Sequence, residues 1–366
     1  LMLSIFPAQS RGTAMGLAGL VIGVAPAIGP TLSGWVIDTY QWRVLFGMLI
    51  PIVIIVIIAG FWFMKNVLPT KKSSLDWLSA ALSTIGFGSL LYGFSEVGTE
   101  GWGSTIVIAS LIIGVVFILL FGWRQLTLDN PFLELRVLKN PEFSVSALLS
   151  SVSNMAMVGV EMVLPLYLQI VRGDSALESG LTLLAGALMM GVMSPITGRI
   201  FDRIGARRLA ITGMFLLTIG TIPFAFITRT TPVIYITVLY GVRMAGISMT
   251  MMPVTTAGMN ALPLHLMSNG TAVNNTLRQV ASSVGTAILI SILTNVTNNQ
   301  APEKSLLKSA PLNYKNDFMN ATLSGYHAAF AAAIAFCLIG LVVSFFVSGR
   351  SPRSIKPEKV VNGGEN

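Results

Sequence analysis

Apolar residues form long runs along nearly the whole chain, and short polar segments separate them. Each run has about 20 residues, enough for a helix to cross a hydrocarbon core of roughly 30 Å. In a bilayer every backbone polar group must be paired within its own segment, and these runs are too long and uniform for barrel strands. The pattern therefore predicts an all-α polytopic membrane protein with about ten transmembrane helices. The predicted spans are 13–37, 44–64, 75–95, 104–122, 144–169, 179–198, 208–228, 232–257, 271–295 and 325–348.

Composition agrees with this pattern and excludes a soluble domain. Of the 366 residues, 53% are hydrophobic and 10% are charged, whereas about a quarter of the residues in soluble domains are charged. The net charge of +8 comes from Lys and Arg residues between the apolar runs. They form no continuous basic face, so we expect no nucleic-acid partner. Cys337 is the only cysteine and lies inside an apolar run, so we expect no disulfide framework and no metal or other cofactor.

The distribution of positive charge predicts the orientation in the membrane. Short cytoplasmic loops are enriched in Lys and Arg, and most of the 23 such residues fall on one side if the chain starts in the cytoplasm. Both chain ends are then cytoplasmic. The segment 123–143 is predicted as a cytoplasmic element between two bundles, and the segment 296–324 as an external loop.

Glycine and proline recur at intervals of three or four residues in the first predicted span. This spacing places them on one stripe of a helix. A stripe without side chains lets a second helix approach at backbone contact, although ordinary packing of small residues explains the same spacing. The residues are Gly12, Gly16, Gly19, Gly23, Pro26, Pro30 and Gly34.

A second motif lies between two later spans and has the order Gly, Asp, Arg, Gly, Arg, Arg. The glycines suit a tight turn, and the aspartate suits binding to a helix N-terminus or to the neighbouring arginines. A loop that is simply positive explains the arginines but not the ordered Gly and Asp residues. The residues are Gly198, Asp202, Arg203, Gly205, Arg207 and Arg208.

Both motifs resemble those of the major facilitator superfamily. The segment 25–34, followed by Asp38, is similar to the "antiporter" motif of its proton-driven drug exporters of the EmrB/QacA type, although Ser33 stands where that branch usually has a second glycine. The segment 198–208 resembles the cytoplasmic loop signature of the superfamily, which implies a latch between two lobes. The antiporter motif is matched at Gly19, Gly23, Pro26, Gly29, Pro30 and Gly34.

The spacing of the two motifs implies the fourteen-span type of this superfamily. A twelve-span member has three spans between the antiporter span and the second copy of the loop, whereas this chain has five predicted spans between its first span and that loop. The chain then corresponds to spans 5–14 of 14, with the first four expected to be missing, and it resembles bacterial lincomycin-resistance-type multidrug exporters. The implied domains are the end of an N-terminal lobe at 1–65, two linker spans with a connector at 66–143, a six-span C-terminal lobe at 144–348 and a cytoplasmic tail at 349–366.

Few ionisable residues lie inside the predicted spans, and each is a candidate for function because burying a charge in a bilayer is costly. Glu161 and Arg243 lie at similar depths, which permits a pair. The resemblance implies that their spans line the central cavity. Glu161 is then a candidate for proton exchange, and a structural ion pair is the alternative. Arg278 is expected to have a structural role, with its guanidinium reaching back to the membrane surface.

The resemblance implies a secondary transporter of the cell membrane that exports drugs by proton antiport with alternating access. Its expected partners are the lipid bilayer, small lipophilic or cationic substrates, and protons. The alternatives are a same-fold transporter of a metabolite or lipid, and a membrane protein or fragment that does not transport. An enzyme is not expected, because the sequence shows no nucleophile–base pair, metal cluster or phosphate-binding loop.

Overall fold

A computed structural model describes residues 28–63, 76–129, 131, 133–263, 266–303 and 305–349. All regular secondary structure in these ranges is helical. The helices are α1 (28–39), α2 (Arg43–Phe63), α3 (Trp77–Glu100), α4 (Thr105–Thr127), α5 (Pro141–Leu166), α6 (Ala176–Ile204), α7 (Ala206–Thr221), α8 (Val233–Asn260), α9 (Met267–Gln300) and α10 (Pro311–Ser344). Shorter turns are the 3₁₀ helices Leu135–Lys139 and Ile222–Phe226, the π-helical turn Tyr167–Arg172 that continues α5, and the single α-helical turn Leu306–Ser309.

Nine helices of the described ranges, α2 to α10, are long and apolar enough to cross a membrane. They correspond to nine of the ten predicted spans and confirm the all-α polytopic architecture. The first predicted span, 13–37, lies mostly outside the described residues. Its last part, from residue 28 onward, is helical as α1.

Helices α5 to α10 pack around one apolar core, in which Met214, Ile247, Phe330 and Cys337 are buried. Small residues bring neighbouring helices together. A Cβ atom added to Gly246 of α8 would lie 2.5 Å from the carbonyl oxygen of Gly213 in α7. No side chain fits at this crossing, as is common where transmembrane helices approach at backbone contact.

Helices α3 and α4 form a tight hairpin that packs on α9. A Cβ atom added to Gly114 of α4 would lie 2.7 Å from the backbone nitrogen of Leu90 in α3. At one end of the hairpin, Asp76 caps α3 and accepts a hydrogen bond from Nε of Arg124 at 3.0 Å. At the other end, Nε1 of Trp102 donates to Oγ of Ser291 in α9 at 2.6 Å.

The predicted external loop 296–324 is wrong over most of its length. Helix α9 continues to Gln300 and α10 begins at Pro311, well before the predicted start at residue 325. Polar residues in this segment suggested a loop, but polar residues are equally compatible with helix ends that project beyond the hydrocarbon. Proline is favoured at the first position of a helix, because the amide that it lacks has no partner there.

The predicted connector 123–143 is short and rests on the bundle. Val137, in its 3₁₀ helix, is buried in a small cluster with Phe143 of α5, Met259 of α8 and Leu262. The connector thus holds the end of the α3–α4 hairpin close to the start of α5.

Candidate functional site

The Gly/Pro-rich helix α1 runs antiparallel to the first turns of α6. A Cβ atom added to Gly34 would lie 2.4 Å from the carbonyl oxygen of Ala176, and one added to Gly180 would lie 2.6 Å from the carbonyl oxygen of Pro30. Oγ1 of Thr31 also donates to the carbonyl oxygen of Gly180 at 3.1 Å. Glycines on both helices therefore permit backbone contact at this seam.

Asp38 fixes the end of the same seam. Its Oδ2 accepts a hydrogen bond from the backbone N–H of Leu177 at 2.8 Å. Leu177 is in the first turn of α6, where backbone N–H groups have no partner within the helix and the helix dipole favours a negative charge. The sequence pattern singled out the glycines and prolines but did not predict this bond.

The individual residues of the antiporter motif differ in their placement. Pro30 and Gly34 lie at the contact with α6, but a Cβ atom added to Gly29 meets no described atom within 4 Å. Among the described residues, Gly29 therefore lies outside the contact between α1 and α6. Gly29 is five residues from Gly34, a spacing that turns it away from the face Gly34 presents. Gly12, Gly16, Gly19, Gly23 and Pro26 lie outside the described residues.

The loop motif forms a sharp junction between α6 and α7. Gly205 has a φ of 81°, in the left-handed region that favours glycine, and its N–H donates to the carbonyl oxygen of Phe201 at 2.9 Å. Asp202 is 5% exposed and Arg203 lies in the last turn of α6. The predicted turn is thus a single residue at Gly205.

The other members of this motif are helical. Gly198 is buried within α6, so the expectation that it helps to turn the loop is wrong. Arg207 and Arg208 are exposed residues in the first turn of α7. The structure therefore places the motif around one helix junction, with its aspartate buried and its arginines exposed.

Arg243 of α8 is completely buried in the bundle. Its Nε donates to Oγ1 of Thr221 at 2.8 Å, and its Nη2 donates to the carbonyl oxygen of Ala156 at 3.0 Å. The guanidinium carbon lies 5.9 Å from the ring centroid of Phe224, within reach of a cation–π interaction. Its Nη1 is buried without a hydrogen-bond partner.

Glu161 is partly buried in α5 and interacts electrostatically with Arg243 and with Tyr240 of α8. It makes no ion pair with Arg243, since the ion pairs measured among the described residues are Arg124–Asp76, Arg136–Glu134 and Arg172–Asp174. The structure brings Glu161 and Arg243 into the same part of the bundle without joining them. Within the described residues Glu161 is partly exposed, whereas Arg243 is enclosed.

Arg278 of α9 does not extend towards the end of its helix as expected. Its Nη2 donates to Oδ1 of Asn154 at 3.3 Å and contacts Sδ of Met251 at 3.7 Å. Its Nε is buried without a hydrogen-bond partner. Asn154 had no part in the sequence prediction, although a polar residue inside a span is a signal for contact between helices.

Comparisons with known proteins agree with this architecture. Residues 1–286 match the family described as Major Facilitator Superfamily. The MFS-type transporter YcnB of Bacillus subtilis is 49% identical over 343 residues, which cover 94% of this chain and 70% of that protein. The lincomycin resistance protein LmrB of Listeria innocua is 40% identical over 348 residues, covering 94% of this chain and 72% of that protein.

Among solved structures, the chain is similar to a bacterial homolog of the human lysosomal transporter Spinster, with a TM-score of 0.46 and 14% identity over 74% of this chain and 65% of that one. The family match covers more than half of the chain, and the relatives at 40% and 49% identity are aligned along most of it. The chain belongs to the major facilitator superfamily of membrane transporters.

Proposed function

We propose that this transporter exports lipophilic or cationic drugs in exchange for protons, by alternating access in the membrane. The observation that carries the proposal is the setting of Glu161, which is partly buried in α5, forms no ion pair with a described residue, and interacts electrostatically with the enclosed Arg243. Two opposing effects act on a carboxylate in this setting, because burial favours its neutral form and a nearby cation favours its charged form. The name of the relatives called lincomycin resistance proteins supports drugs as the substrate class.

The absence of an ion pair between Glu161 and Arg243 matters for this mechanism. A direct salt bridge inside a bilayer would hold the carboxylate in its charged form and would be costly to open. At a longer distance, a proton or a cationic substrate is able to neutralise Glu161 without first breaking a hydrogen-bonded pair. Arg243 already has two acceptors of its own, Thr221 and the Ala156 carbonyl, and it acts here as a fixed positive charge.

Replacement of Glu161 by glutamine tests proton coupling, because glutamine preserves the shape and hydrogen bonding of the side chain and removes its titrating group. In the intact exporter, Glu161→Gln is expected to lose drug-dependent proton release while still binding drug. The matched control is Glu100→Gln, at the exposed end of α3. Drug binding and proton release are measured on one purified preparation of each variant.

Full proton-coupled export by a well-expressed Glu161→Gln protein would contradict the proton-carrier role. A transporter of metabolites would instead leave cellular drug accumulation unchanged in both the wild type and the variant. A non-transporting protein would release no protons when drug is added to the wild type.

The seam between α1 and α6 is proposed to carry conformational coupling, since glycines at both sides let the two helices slide at backbone contact. Gly34→Ala places a Cβ atom 2.4 Å from the Ala176 carbonyl oxygen, whereas Gly29→Ala meets no described atom within 4 Å. Gly34→Ala is expected to slow export with little loss of expression, and Gly29→Ala to leave export unchanged. Equal export rates for the two variants would show that close contact at the seam is not needed for transport.

The junction at Gly205 is proposed to act as a latch between conformational states, with Asp202 as its buried charged residue. Asp202→Asn is expected to slow turnover without changing which drugs bind. Measured drug affinities that change together with the turnover rate would argue instead for a direct substrate contact.

A further inference from the structure

A cavity of about 400 Å³ lies between α3, α5 and α9, within the size range of small-molecule sites. Its walls differ in chemistry. The wall from α9 is polar and includes Gln279, Ser282 and Thr286, whereas α3 and α5 contribute apolar side chains such as Phe94 and Met162. The cavity therefore offers hydrogen bonds on one side and an apolar surface on the other.

Arg278, which forms no ion pair with a described acid, lies next to the polar wall. Nη2 of Arg278 donates to Oδ1 of Asn154, and Nδ2 of Asn154 donates in turn to Oγ of Ser282, which lines the cavity. Nε of Arg278 is buried and has no acceptor. No acid of the described ranges forms an ion pair with Arg278. A partly buried arginine that has no described acid beside it and whose Nε has no acceptor is costly, so an anion next to it would stabilise it.

The two ends of the cavity along α9 differ in polarity. Arg278 lies about 16 Å from the start of α9, and Ile290, at the far end of the cavity lining, lies about 18 Å further along at 1.5 Å per residue. Gln279, which follows the cation in α9, is thus at one end of the lining, and the apolar Ile290 is at the other. Such a gradient matches a molecule with an anionic head and an apolar tail.

We propose that this cavity binds an anionic amphiphile, with a carboxylate or phosphate head towards Arg278 and an apolar tail between α3 and α9. The head group satisfies the guanidinium with charge-assisted hydrogen bonds. A cationic amphiphile is excluded, because it would bring a second positive charge to Arg278 without an acid to balance it. The site uses neither Glu161 nor Arg243 and does not depend on proton coupling.

Binding of two defined probes to the purified full chain tests the proposal. Oleate represents a free carboxylate amphiphile, and dioleoylphosphatidylglycerol represents a membrane lipid with a phosphate head. Oleylamine is the cationic counterpart of oleate. Native mass spectrometry from a neutral detergent counts the bound molecules and gives their affinities.

The expected result is that wild type binds oleate, the lipid or both, and discriminates against oleylamine. Arg278→Gln is expected to weaken binding by about tenfold or more, since a charge-assisted hydrogen bond is lost. The control Arg229→Gln removes a positive charge from the distant turn before α8, where Arg229 bonds to Asn320, and is expected to bind normally. Binding of oleate alone identifies free amphiphilic acids as the source, and binding of the lipid alone identifies a membrane lipid.

A second variant keeps the test decisive if Arg278→Gln folds poorly. Thr286→Phe leaves Arg278 in place but fills the cavity, and it is expected to lose binding as well. Glu161→Gln is expected to bind the probes like the wild type, so a failure of proton coupling and a failure of this site are distinguishable. Equal binding by the wild type and the folded Arg278→Gln or Thr286→Phe protein, or a preference for oleylamine, would overturn the proposal.

Discussion

Helix α2 is apolar and exposed, whereas helix α5 contains polar residues and is largely buried. Helix α2 is almost entirely apolar, yet none of its membrane-spanning window is buried within the described part of the molecule. Helix α5 carries serines, Asn154 and Glu161, yet 67% of its window is buried. In water the more apolar helix would be the interior one.

A bilayer accommodates this difference. Lipid tails are as apolar as Leu or Ile, so an apolar helix gains little by leaving them, and association depends on close packing and on hydrogen bonds between helices. Small and polar residues consequently mark the interior of the bundle. The apolar side chains of α2, such as Phe61 at 85% exposure, are compatible with the bilayer itself.

The largest effect is expected when a glycine of the interior is compared with one of α2. Gly246→Val would force a side chain into the crossing of α7 and α8, where a Cβ atom lies 2.5 Å from the Gly213 carbonyl oxygen, whereas Gly47 of α2 has open space. Gly246→Val should destabilise the protein by about 1–3 kcal/mol through overpacking, and Gly47→Val should not. Thermal unfolding in detergent measures the stability of both variants. Equal unfolding midpoints would show that the interior glycine is no more sensitive than the glycine of α2.

A smaller effect is expected from a buried hydroxyl. Thr221→Val keeps the side-chain shape but removes the acceptor of Nε of Arg243. We expect a cost of about 1 kcal/mol, at the lower end for a buried unpaired donor, because Nη2 keeps the Ala156 carbonyl as its acceptor. Thr212→Val in the same helix is the control, because Thr212 bonds only to carbonyls of its own helix. Unfolding in sodium dodecyl sulfate should separate the two variants. If Thr212→Val lost as much stability as Thr221→Val, the hydrogen bond to Arg243 would not contribute to the stability of the protein.

The smallest effect is expected at the end of the α3–α4 hairpin and depends on pH. Hydrogen bonds from Arg124 and Ser79 hold the pKa of Asp76 well below its ordinary value. A lowered folded-state pKa stabilises the protein above the unfolded-state value of about 3.9, and this stabilisation is lost as the pH falls below that value. The unfolding midpoint of the wild type should therefore drop slightly more than that of Asp76→Asn between pH 6 and pH 3. Parallel curves for the two proteins would show that the pair does not contribute.

Much of the architecture was predictable because it depends on local pattern. Runs of about 20 apolar residues are sufficient to specify transmembrane helices, since unpaired backbone groups are not tolerated in lipid. The spacing of Pro30 and Gly34 likewise predicted a face for close contact, which the structure places against α6. The ends of α9 and α10 were not predictable, because polar residues beyond the hydrocarbon are compatible with either helix or loop.

The sequence by itself determined the class of fold, the approximate positions of nine described spans and the residues with which two motifs resemble a transporter superfamily. Only the tertiary structure decided which of these residues meet. It separated Gly29 from the seam, enclosed Arg243 between Thr221 and the Ala156 carbonyl, and placed Glu161 without an ion pair to any described residue. The reason is physical: a span is specified by its own composition, whereas a contact between two side chains depends on the rotation and offset of two helices, which small residues and hydrogen bonds far apart in the sequence fix together.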